Sequence, residues 1–341
     1  MHPFAIAQPR TVREAVGIAS TTVADTMTAA LDAARQSEAA VMKAGGIDLL
    51  DLLKEDLLAP AKLVNLKDIP GLDAVVEEDD GVRIGPMATL AVLAAHPLLR
   101  RRFPALAEAL AGSASPQIRN VATLGGNLLQ RPRCWYFRSQ AYHCLRKGGG
   151  HCFAIGGENQ YHAIFNNMPC AIVHPSTAAT VLVALDATVE LTNADGATRR
   201  LALEEFFVGP ERDLQRENDL RVREVLTAIR LPRPPAGLRM AHLRQGEKAS
   251  FDWPLADVAV ALDITVDGAC QRAAIILGAA APVPHRAKAA AAVLTGRRID
   301  ETIVAQAARA ALDGATPLAK NAYKLPLFEA LVRRAILKAA A

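Results

Sequence analysis

Four of the five cysteines of this chain fall in one short segment. Cys134, Cys144 and Cys152 lie within nineteen residues, and Cys170 follows eighteen residues later. The thiolate is the reactive, metal-binding form of cysteine, so a segment that collects thiols favours a shared metal or iron–sulfur site. Cys270 lies far along the chain and is interpreted as structural.

The spacing of these cysteines leaves three interpretations open, namely an iron–sulfur cluster, a zinc site, or buried thiols without a ligand. Structural zinc sites favour ligand pairs two to four residues apart, whereas the gaps here are nine, seven and seventeen residues. His143 and His151 each neighbour a cysteine and are further candidate ligands. A cluster with four thiolates is negatively charged, and basic residues close in sequence would offset that charge: Arg131, Arg133, Arg138, Arg146 and Lys147.

Composition describes an ordinary globular chain. It has 341 residues, 51% hydrophobic and 22% charged, with a net charge of +4, which is long enough for two or three domains and shows no nucleic-acid footprint. No apolar run is long enough to span a membrane, and the longest, Ala273–Val283, predicts a buried strand. The first residues lack the pattern of a secretory signal, so a disulfide framework is disfavoured.

Periodicity and turn residues predict a mixed α and β chain with a boundary near 232–236. The predicted helices cover Thr22–Glu38, Leu90–Ala95, 103–112 and Ala178–Leu185. The predicted strands cover Ala40–Lys43, Val64–Leu66, Val82–Ile84, Ala171–Val173, Thr188–Leu191, Arg239–Arg244, Asp257–Val266 and Arg272–Leu277.

Two segments carry adjacent glycines in a setting suited to phosphate. Lys43–Leu50 runs from a strand through Gly45 and Gly46 into an apolar stretch, and Thr123–Asn127 contains a second Gly-Gly pair. Backbone N–H groups with no side chain in the way can cradle a pyrophosphate. An ordinary turn is the simpler interpretation of the first segment alone.

These residues resemble the FAD-binding subunits of the molybdenum hydroxylases, the family of xanthine dehydrogenases, aldehyde oxidases and carbon monoxide dehydrogenases. Ala44–Leu49 stands where that family has Ala-Gly-Gly-Thr-Asp-Leu, and Gln117–Asn127 matches Gln-Ile-Arg-Asn-x-Ala-Thr-x-Gly-Gly-Asn at every fixed position. Ser250–Trp253 and Asn321–Leu327 are similar to its C-terminal domain. Ile47 replaces the usual Thr, and Thr177 the usual Asp, so two flavin contacts of the family are in question.

The resemblance implies an α+β fold with a two-lobed FAD-binding domain of the vanillyl-alcohol-oxidase (PCMH) type. That domain would cover residues 1–232, with lobes of about 1–60 and 61–232, and a smaller α+β C-terminal domain would cover 236–341. The implied cofactor-binding residues are Lys43, Ala44, Gly45, Gly46, Ile47, Asp48, Leu49, Leu50, Ser115, Ile118, Thr123, Gly125, Gly126, Asn127, Ser176 and Lys248. Phe251 and Trp253 are expected in the core.

The cysteine segment, residues 131–170, is absent from most of the family. It resembles the insert of periplasmic aldehyde oxidoreductase flavin subunits and, more distantly, that of 4-hydroxybenzoyl-CoA reductase, where the insert binds a [4Fe–4S] cluster. This resemblance implies that Cys134, Cys144, Cys152 and Cys170 ligate one such cluster, with Cys170 the least secure ligand.

The function implied is electron transfer within a heterotrimer. A [2Fe–2S] subunit would supply electrons, this chain would pass them through FAD to an external acceptor, and a molybdopterin-containing large subunit would oxidise the substrate, an aldehyde. Alternatives are a zinc-stabilised flavin-binding docking subunit, a subunit of a xanthine or aromatic-CoA hydroxylase, and a self-sufficient flavin oxidase. Co-export with a signal-bearing partner to the periplasm and residence in the cytoplasm both remain open.

Overall fold

A computed structural model of the chain describes residues 1–28, 38–248 and 251–341. The first part is a small parallel sheet in the order β1-β3-β2, with helices around it. Its strand β3 begins just beyond residue 60, the predicted end of the first lobe, so this sheet extends past that boundary to Asn65. Its elements are β1 (Ala5–Ala7), α1 (Val12–Ile18), α2 (Val23–Thr28), β2 (Ala40–Lys43), α3 (Ile47–Lys54) and β3 (Lys62–Asn65).

The second part is an antiparallel sheet in the order β4-β5-β8-β6-β7, covered by helices. Its strands are β4 (Val75–Glu78), β5 (Gly81–Ile84), β6 (Thr188–Asn193), β7 (Thr198–Ala202) and β8 (Glu224–Pro232). Its helices are α4 (Leu90–Ala95), α5 (Pro97–Arg102), α6 (Pro104–Gly112), α7 (Pro116–Arg119), α8 (Leu124–Leu128), α10 (Thr177–Ala184) and α11 (Leu203–Phe206), with α9 (Phe153–Gly156) in the cysteine segment.

The C-terminal part is an antiparallel sheet in the order β12-β11-β10-β9 with helices packed on one face. Its elements are β9 (Leu238–Gln245), β10 (Ala256–Ile264), β11 (Cys270–Gly278), β12 (His285–Arg286), α12 (Lys288–Leu294), α13 (Glu301–Ala310) and α14 (Lys324–Ala340). The predicted strand within Ala273–Val283 is confirmed by β11.

Helix α10 explains how the second and third parts share a core. All eight of its residues are buried, because one side packs on α6 and the other on β10 and β11. A helix that is apolar all round is stable only where both faces are covered. This placement fixes the C-terminal sheet against the second part of the fold.

Two predicted elements differ from the structure. Ala171–Val173 forms no named strand, because its neighbours supply only one backbone hydrogen bond, from the Ala163 N–H to the Ala171 carbonyl at 2.9 Å. The predicted helix Thr22–Glu38 begins as α2, residues 29–37 lie outside the described residues, and Glu38 is in a turn. In the described part of the chain no helix is both long and apolar enough to cross a bilayer.

Candidate functional site

A cleft of about 430 Å³ opens between the two Gly-Gly turns, and we call it the glycine cleft. That volume lies within the range of small-molecule and cofactor sites. Its walls come from the start of α3, the start of α8, the loop before β8 and the end of β9. The first, second and C-terminal parts of the fold therefore all contribute to one concave surface.

The first turn is shaped by two glycines with different requirements. Gly46 adopts φ +87°, a left-handed conformation that favours glycine, directly before the first residue of α3. A Cβ on Gly45 would lie 2.2 Å from the carbonyl oxygen of Val121, just before the second turn, and 3.2 Å from the backbone nitrogen of Thr123 in that turn. The absence of a side chain at Gly45 thus lets the two turns touch.

The second turn leads directly into α8. The Thr123 hydroxyl accepts the N–H of Gly126 at 3.2 Å and caps the helix. A Cβ on Gly125 would lie 2.7 Å from Pro86 Cβ, whereas one on Gly126 would meet only Thr123 Oγ1 at 3.1 Å and Ala44 Cβ at 3.7 Å. Gly126 therefore puts no side chain between the second turn and Ala44 of the first turn, while the N–H groups of residues 124–127 already donate within the protein.

Most of the predicted cofactor-binding residues line the glycine cleft, namely Ala44, Gly45, Gly46, Ile47, Asp48, Leu49, Ile118, Thr123, Gly125, Gly126 and Asn127. The structure does not place Lys43, Leu50, Ser115, Ser176 or Lys248 among the lining residues. Lys248 is exposed. Ser176 supports the cleft indirectly, because its hydroxyl donates to Asn127 Oδ1 at 2.6 Å.

Lys43 and Ser115 support the turns from behind. The Lys43 ammonium donates to the Ala44 carbonyl at 3.2 Å and to Asn65 Oδ1 at 3.4 Å, and burial together with Lys67 lowers its pKa. The Ser115 hydroxyl accepts the N–H of Ile118 and caps α7. Both residues act through the backbone of the turns.

The cleft wall is rich in arginine, which suits an anionic ligand. The lining guanidinium groups belong to Arg131, Arg133, Arg216, Arg221, Arg223 and Arg244. Phe251 and Trp253 also line the cleft and are 58% and 51% exposed, so the prediction that they are core residues is wrong. The Arg133 guanidinium lies 4.8 Å from the Trp253 ring centroid, because the loop before β10 reaches over the cleft instead of into the sheet core.

The four clustered cysteines line a second, smaller cavity, which we call the cysteine cavity. Its volume is about 10 Å³, so the four thiols pack closely around it. Cys270 lies instead in the core of the C-terminal sheet. Within residues 1–28, 38–248 and 251–341, no three His, Cys, Asp or Glu side chains are arranged to hold a single metal ion.

The thiols of the cysteine cavity are chemically unequal. Burial raises the pKa of Cys134 to about 11 and also raises that of Cys144. A hydrogen bond from the Cys170 thiol lowers the pKa of Cys152 to about 6, and the same bond raises the pKa of Cys170. Cys152 is therefore the first of the four to become a thiolate.

A histidine missed by the sequence analysis also reaches this cavity. His162 Nε2 lies 3.2 Å from Cys134 Sγ, and its Nδ1 is buried without a hydrogen-bond partner among the described residues. His143 and His151, the predicted alternative ligands, are exposed and do not line the cavity. His162 lies eight residues before Cys170, and no local spacing rule singles it out.

A buried ion triad joins the two cavities, and it too was missed. Glu217 lies between two guanidinium groups, 2.9 Å from Arg131 Nε and 2.7 Å from Arg146 Nη1. Arg131 and Glu217 line the glycine cleft, whereas Arg146 lines the cysteine cavity. Burial opposes the charge of Arg146, but Glu217 and the neighbouring Cys170 raise its pKa.

Comparison with known protein families matches both parts of the chain. Residues 8–234 match the FAD binding domain in molybdopterin dehydrogenase, and residues 241–339 match the CO dehydrogenase flavoprotein C-terminal domain. The chain belongs to the FAD-binding subunits of the molybdenum hydroxylases. The resemblance stated from the two glycine turns is confirmed.

Individual relatives cover most of this chain. The aldehyde oxidoreductase FAD-binding subunit PaoB of Escherichia coli is 36% identical over 289 residues, 83% of this chain and 86% of the relative. The carbon monoxide dehydrogenase medium chain of Afipia carboxidovorans is 30% identical over 305 residues, 87% of this chain and 88% of the relative. The members of this family are subunits of oxidoreductases.

Solved structures agree with the fold. Reconstituted CO dehydrogenase from Oligotropha carboxidovorans superposes with a TM-score of 0.74 at 25% identity, covering 99% of this chain and 98% of that one. The carbon monoxide dehydrogenase of Hydrogenophaga pseudoflava gives 0.73 at 26% identity, covering 98% and 96%. The α+β fold class, with an FAD domain of the PCMH type and a C-terminal domain, is confirmed.

Proposed function

We propose that this chain is the flavin and iron–sulfur electron-transfer subunit of a molybdenum-containing aldehyde oxidoreductase. It would receive electrons from the [2Fe–2S] clusters of a partner subunit and deliver them through FAD to an external acceptor. A molybdopterin-containing large subunit would oxidise the aldehyde, and the three chains would form a heterotrimer. The glycine cleft would hold FAD, and the cysteine cavity would hold one [4Fe–4S] cluster.

One observation carries the proposal. Four cysteines that are nine, seven and seventeen residues apart in sequence line a single cavity, and a buried ion triad links the wall of that cavity to the glycine cleft. Thiols held together in this way are the ligand set of an iron–sulfur cluster. A cofactor cleft and a cluster site that share a wall suit electron transfer between them.

The residues of the glycine cleft fit the pyrophosphate of FAD. A Cβ on Gly46 would lie 3.0 Å from Lys43 Cε in a left-handed conformation, and Gly126 leaves the second turn open. The backbone N–H groups of the first turn and the surrounding arginines would bind the phosphates. Ile47 supplies no hydroxyl and Thr177 no carboxylate, so backbone groups would carry more of the binding here than in relatives.

The residues of the cysteine cavity fit a cluster by their chemistry. Four sulfur donors, the buried Arg146 and the His162 imidazole, whose Nε2 lies beside Cys134, surround it. The small volume means that the segment would have to move outward to admit a cluster, so binding would be coupled to the ordering of this segment. FAD can take up electrons in pairs, whereas an iron–sulfur cluster takes them up one at a time. The two groups bound together would therefore convert between paired and single electron transfers.

The assignment to an aldehyde as substrate rests on the relative named as an aldehyde oxidoreductase subunit, which is 36% identical. The resemblance of the cysteine segment to the insert of such subunits points the same way. A subunit of a xanthine-type hydroxylase is the alternative, since a putative xanthine dehydrogenase FAD-binding subunit of Escherichia coli is 24% identical over 325 residues. Co-export to the periplasm with a signal-bearing partner would follow only for the first assignment.

The first experiment measures the cofactors. The chain is co-expressed with the neighbouring genes, purified without oxygen, and analysed for FAD, iron, acid-labile sulfide and zinc. We expect one FAD, and four iron and four sulfide beyond those of the partner's [2Fe–2S] clusters, in a complex that oxidises aldehydes. One zinc in place of this additional iron and sulfide would favour the docking-subunit alternative, and aldehyde oxidation by the isolated chain would favour a self-sufficient oxidase.

Single serine variants then identify the ligands. Serine at Cys134, Cys144, Cys152 or Cys170 should lower the iron content and the broad visible absorbance of the cluster while leaving FAD bound. Cys270→Ser is the matched control, because Cys270 is buried in the core of the C-terminal sheet and touches neither cavity. Full iron in Cys170→Ser would direct attention to His162 as the fourth ligand.

A further inference from the structure

The buried ion triad of Arg131, Glu217 and Arg146 carries an unbalanced charge. The side chains of these three residues are 4%, 6% and 1% exposed, and the two guanidinium groups share one carboxylate. The triad therefore places a net positive charge inside the protein, which is costly unless another anion lies close by. Nearby arginines do not show this imbalance, because Arg133 and Arg138 pair with both Asp48 and Asp51.

The N–H groups of the triad show where the missing anions would lie. Arg146 Nε and Nη2, and Arg131 Nη1, are buried without a well-aligned hydrogen-bond partner among the described residues, and the Cys170 side chain lies within reach of the Arg146 guanidinium. Arg146 reaches the cysteine cavity beside Cys170, and Arg131 reaches the glycine cleft. Each end of the triad therefore presents unsatisfied donors to one of the two cavities.

We propose that Arg131, Glu217 and Arg146 are positioning residues that set the reduction potentials of the two redox centres and tie those potentials together. This inference rests on the proposed function, since it assumes a cluster in the cysteine cavity. A fixed cation beside a centre that gains negative charge on reduction stabilises the reduced form. Arg146 would do this for the cluster and Arg131 for the flavin, with Glu217 holding both guanidinium groups in place.

Hydrogen bonds within the loop before β8 hold Glu217 in position. The Asp213 carboxylate accepts the N–H groups of Gln215 at 2.7 Å and Arg216 at 3.1 Å, which closes a tight turn just before Glu217. Arg216 in turn pairs with Asp25 of α2 at 2.7 Å. The backbone of this loop also accepts from the triad, since Arg131 Nη2 donates to the Gln215 carbonyl at 2.9 Å.

The test is a redox titration of the complete complex, followed by EPR for the cluster and by absorbance for the flavin. Arg146→Met should lower the cluster potential and leave that of the flavin nearly unchanged, and Arg146→Lys, which keeps the charge, should recover most of the shift. Arg131→Met should lower the flavin potential alone. Glu217→Gln removes the negative charge of the triad and should raise the reduction potentials of both the cluster and the flavin. General disruption of the fold would not raise both potentials.

Arg230→Met is the matched control. Arg230 pairs with Glu190 at 2.7 Å and with Glu78, and it lines neither cavity, so neither potential should change. Unchanged cluster potential in Arg146→Met with full iron content would overturn the inference. If Arg146→Met loses iron, unchanged potentials of both centres in Glu217→Gln would overturn it instead. Wild-type complex with no iron and sulfide beyond those of the partner's [2Fe–2S] clusters would refute the proposed function itself, which is a separate outcome.

Discussion

The carboxylate of Asp48 accepts the backbone N–H of Arg131 at 2.8 Å. Asp48 belongs to the first Gly-Gly turn, whereas Arg131 opens the cysteine segment 83 residues later. The same carboxylate pairs with Arg138 at 2.6 Å and with Arg133 at 2.8 Å. A side chain predicted to bind the cofactor thus fastens the cysteine segment to the rim of the glycine cleft.

We therefore expect Asp48→Asn to loosen the cysteine segment more than it weakens FAD binding. The variant removes the charge that two partly buried guanidinium groups share, at a cost of about 1–3 kcal/mol in the free energy of unfolding. Limited proteolysis should show faster cleavage in residues 131–140. Asp51→Asn is the control, since Asp51 contacts the same arginines but is 44% exposed, and its loss should cost less than about 1 kcal/mol. Loss of FAD with unchanged proteolysis would instead mean that Asp48 serves the cofactor.

The contact between the two turns predicts a strong effect of Gly45→Ala. The added Cβ would lie 2.2 Å from the Val121 carbonyl oxygen, so backbone would have to move. We expect a loss of about 1–3 kcal/mol in the free energy of unfolding and a lower FAD-to-protein ratio. Gly17→Ala in α1 is the control. A Cβ added at Gly17 would have no atom within 4 Å, and alanine should stabilise the helix by about 0.5–1 kcal/mol. Wild-type urea unfolding and full flavin in Gly45→Ala would contradict the prediction.

The glycine turns could be predicted from the sequence because their residues are local. A strand, two glycines and an apolar helix are adjacent in the chain at the first turn, and the structure confirms that order in β2, Gly45, Gly46 and α3. The triad could not be predicted, because Glu217 comes from a loop 71 residues after Arg146. A single carboxylate in a polar loop gives no periodic signal, and its role arises only from tertiary packing.

The cysteine segment shows the same limit. The clustering of thiols predicts a common site, and the cysteine cavity brings those four residues together. The segment has little regular structure, so neither helix nor strand periodicity could indicate that His162 points to Cys134 or that His143 and His151 are exposed. The expected strand at Ala171–Val173 failed for a related reason, because its apolar residues are buried by loop packing and not by a sheet.

The buried amide of Asn321 is one of the contacts through which the C-terminal part holds the cysteine segment, together with the buried ammonium of Lys324. Asn321 Nδ2 lies 3.1 Å from the carbonyl oxygens of both His162 and Ala163, and its Oδ1 accepts the Leu318 N–H at 2.7 Å. Asn321→Ala should cost about 1–3 kcal/mol, since the Leu318 N–H loses its partner and the His162 and Ala163 carbonyls each lose one of two donors. Thermal unfolding measures this, together with the rate of iron loss to a chelator. Lys320→Ala should change little, because its pair with Glu158 is exposed; equal effects of the two variants would refute the role of Asn321.

His174 gives the chain a predictable sensitivity to acid. Burial lowers the pKa of this imidazole to about 3, and the Ser176 N–H donates to its Nδ1 at 3.3 Å, which requires the neutral form. An unfolded histidine has a pKa of about 6.5, so between about pH 6.5 and pH 3 the unfolded chain binds the extra proton. The free energy of unfolding should therefore fall as pH falls through this window, by up to about 1.4 kcal/mol per pH unit from this residue.

His174→Asn should remove that part of the pH dependence, because an amide oxygen can accept the same N–H without titrating. Urea unfolding from pH 7 to pH 4 would show a smaller loss of stability for the variant than for the wild type. FAD should also be retained better at low pH, because Ser176 holds Asn127 in the second turn of the glycine cleft. His2→Asn, at an exposed histidine, should leave the pH dependence unchanged. Parallel curves for His174→Asn and the wild type would show that the acid sensitivity arises elsewhere.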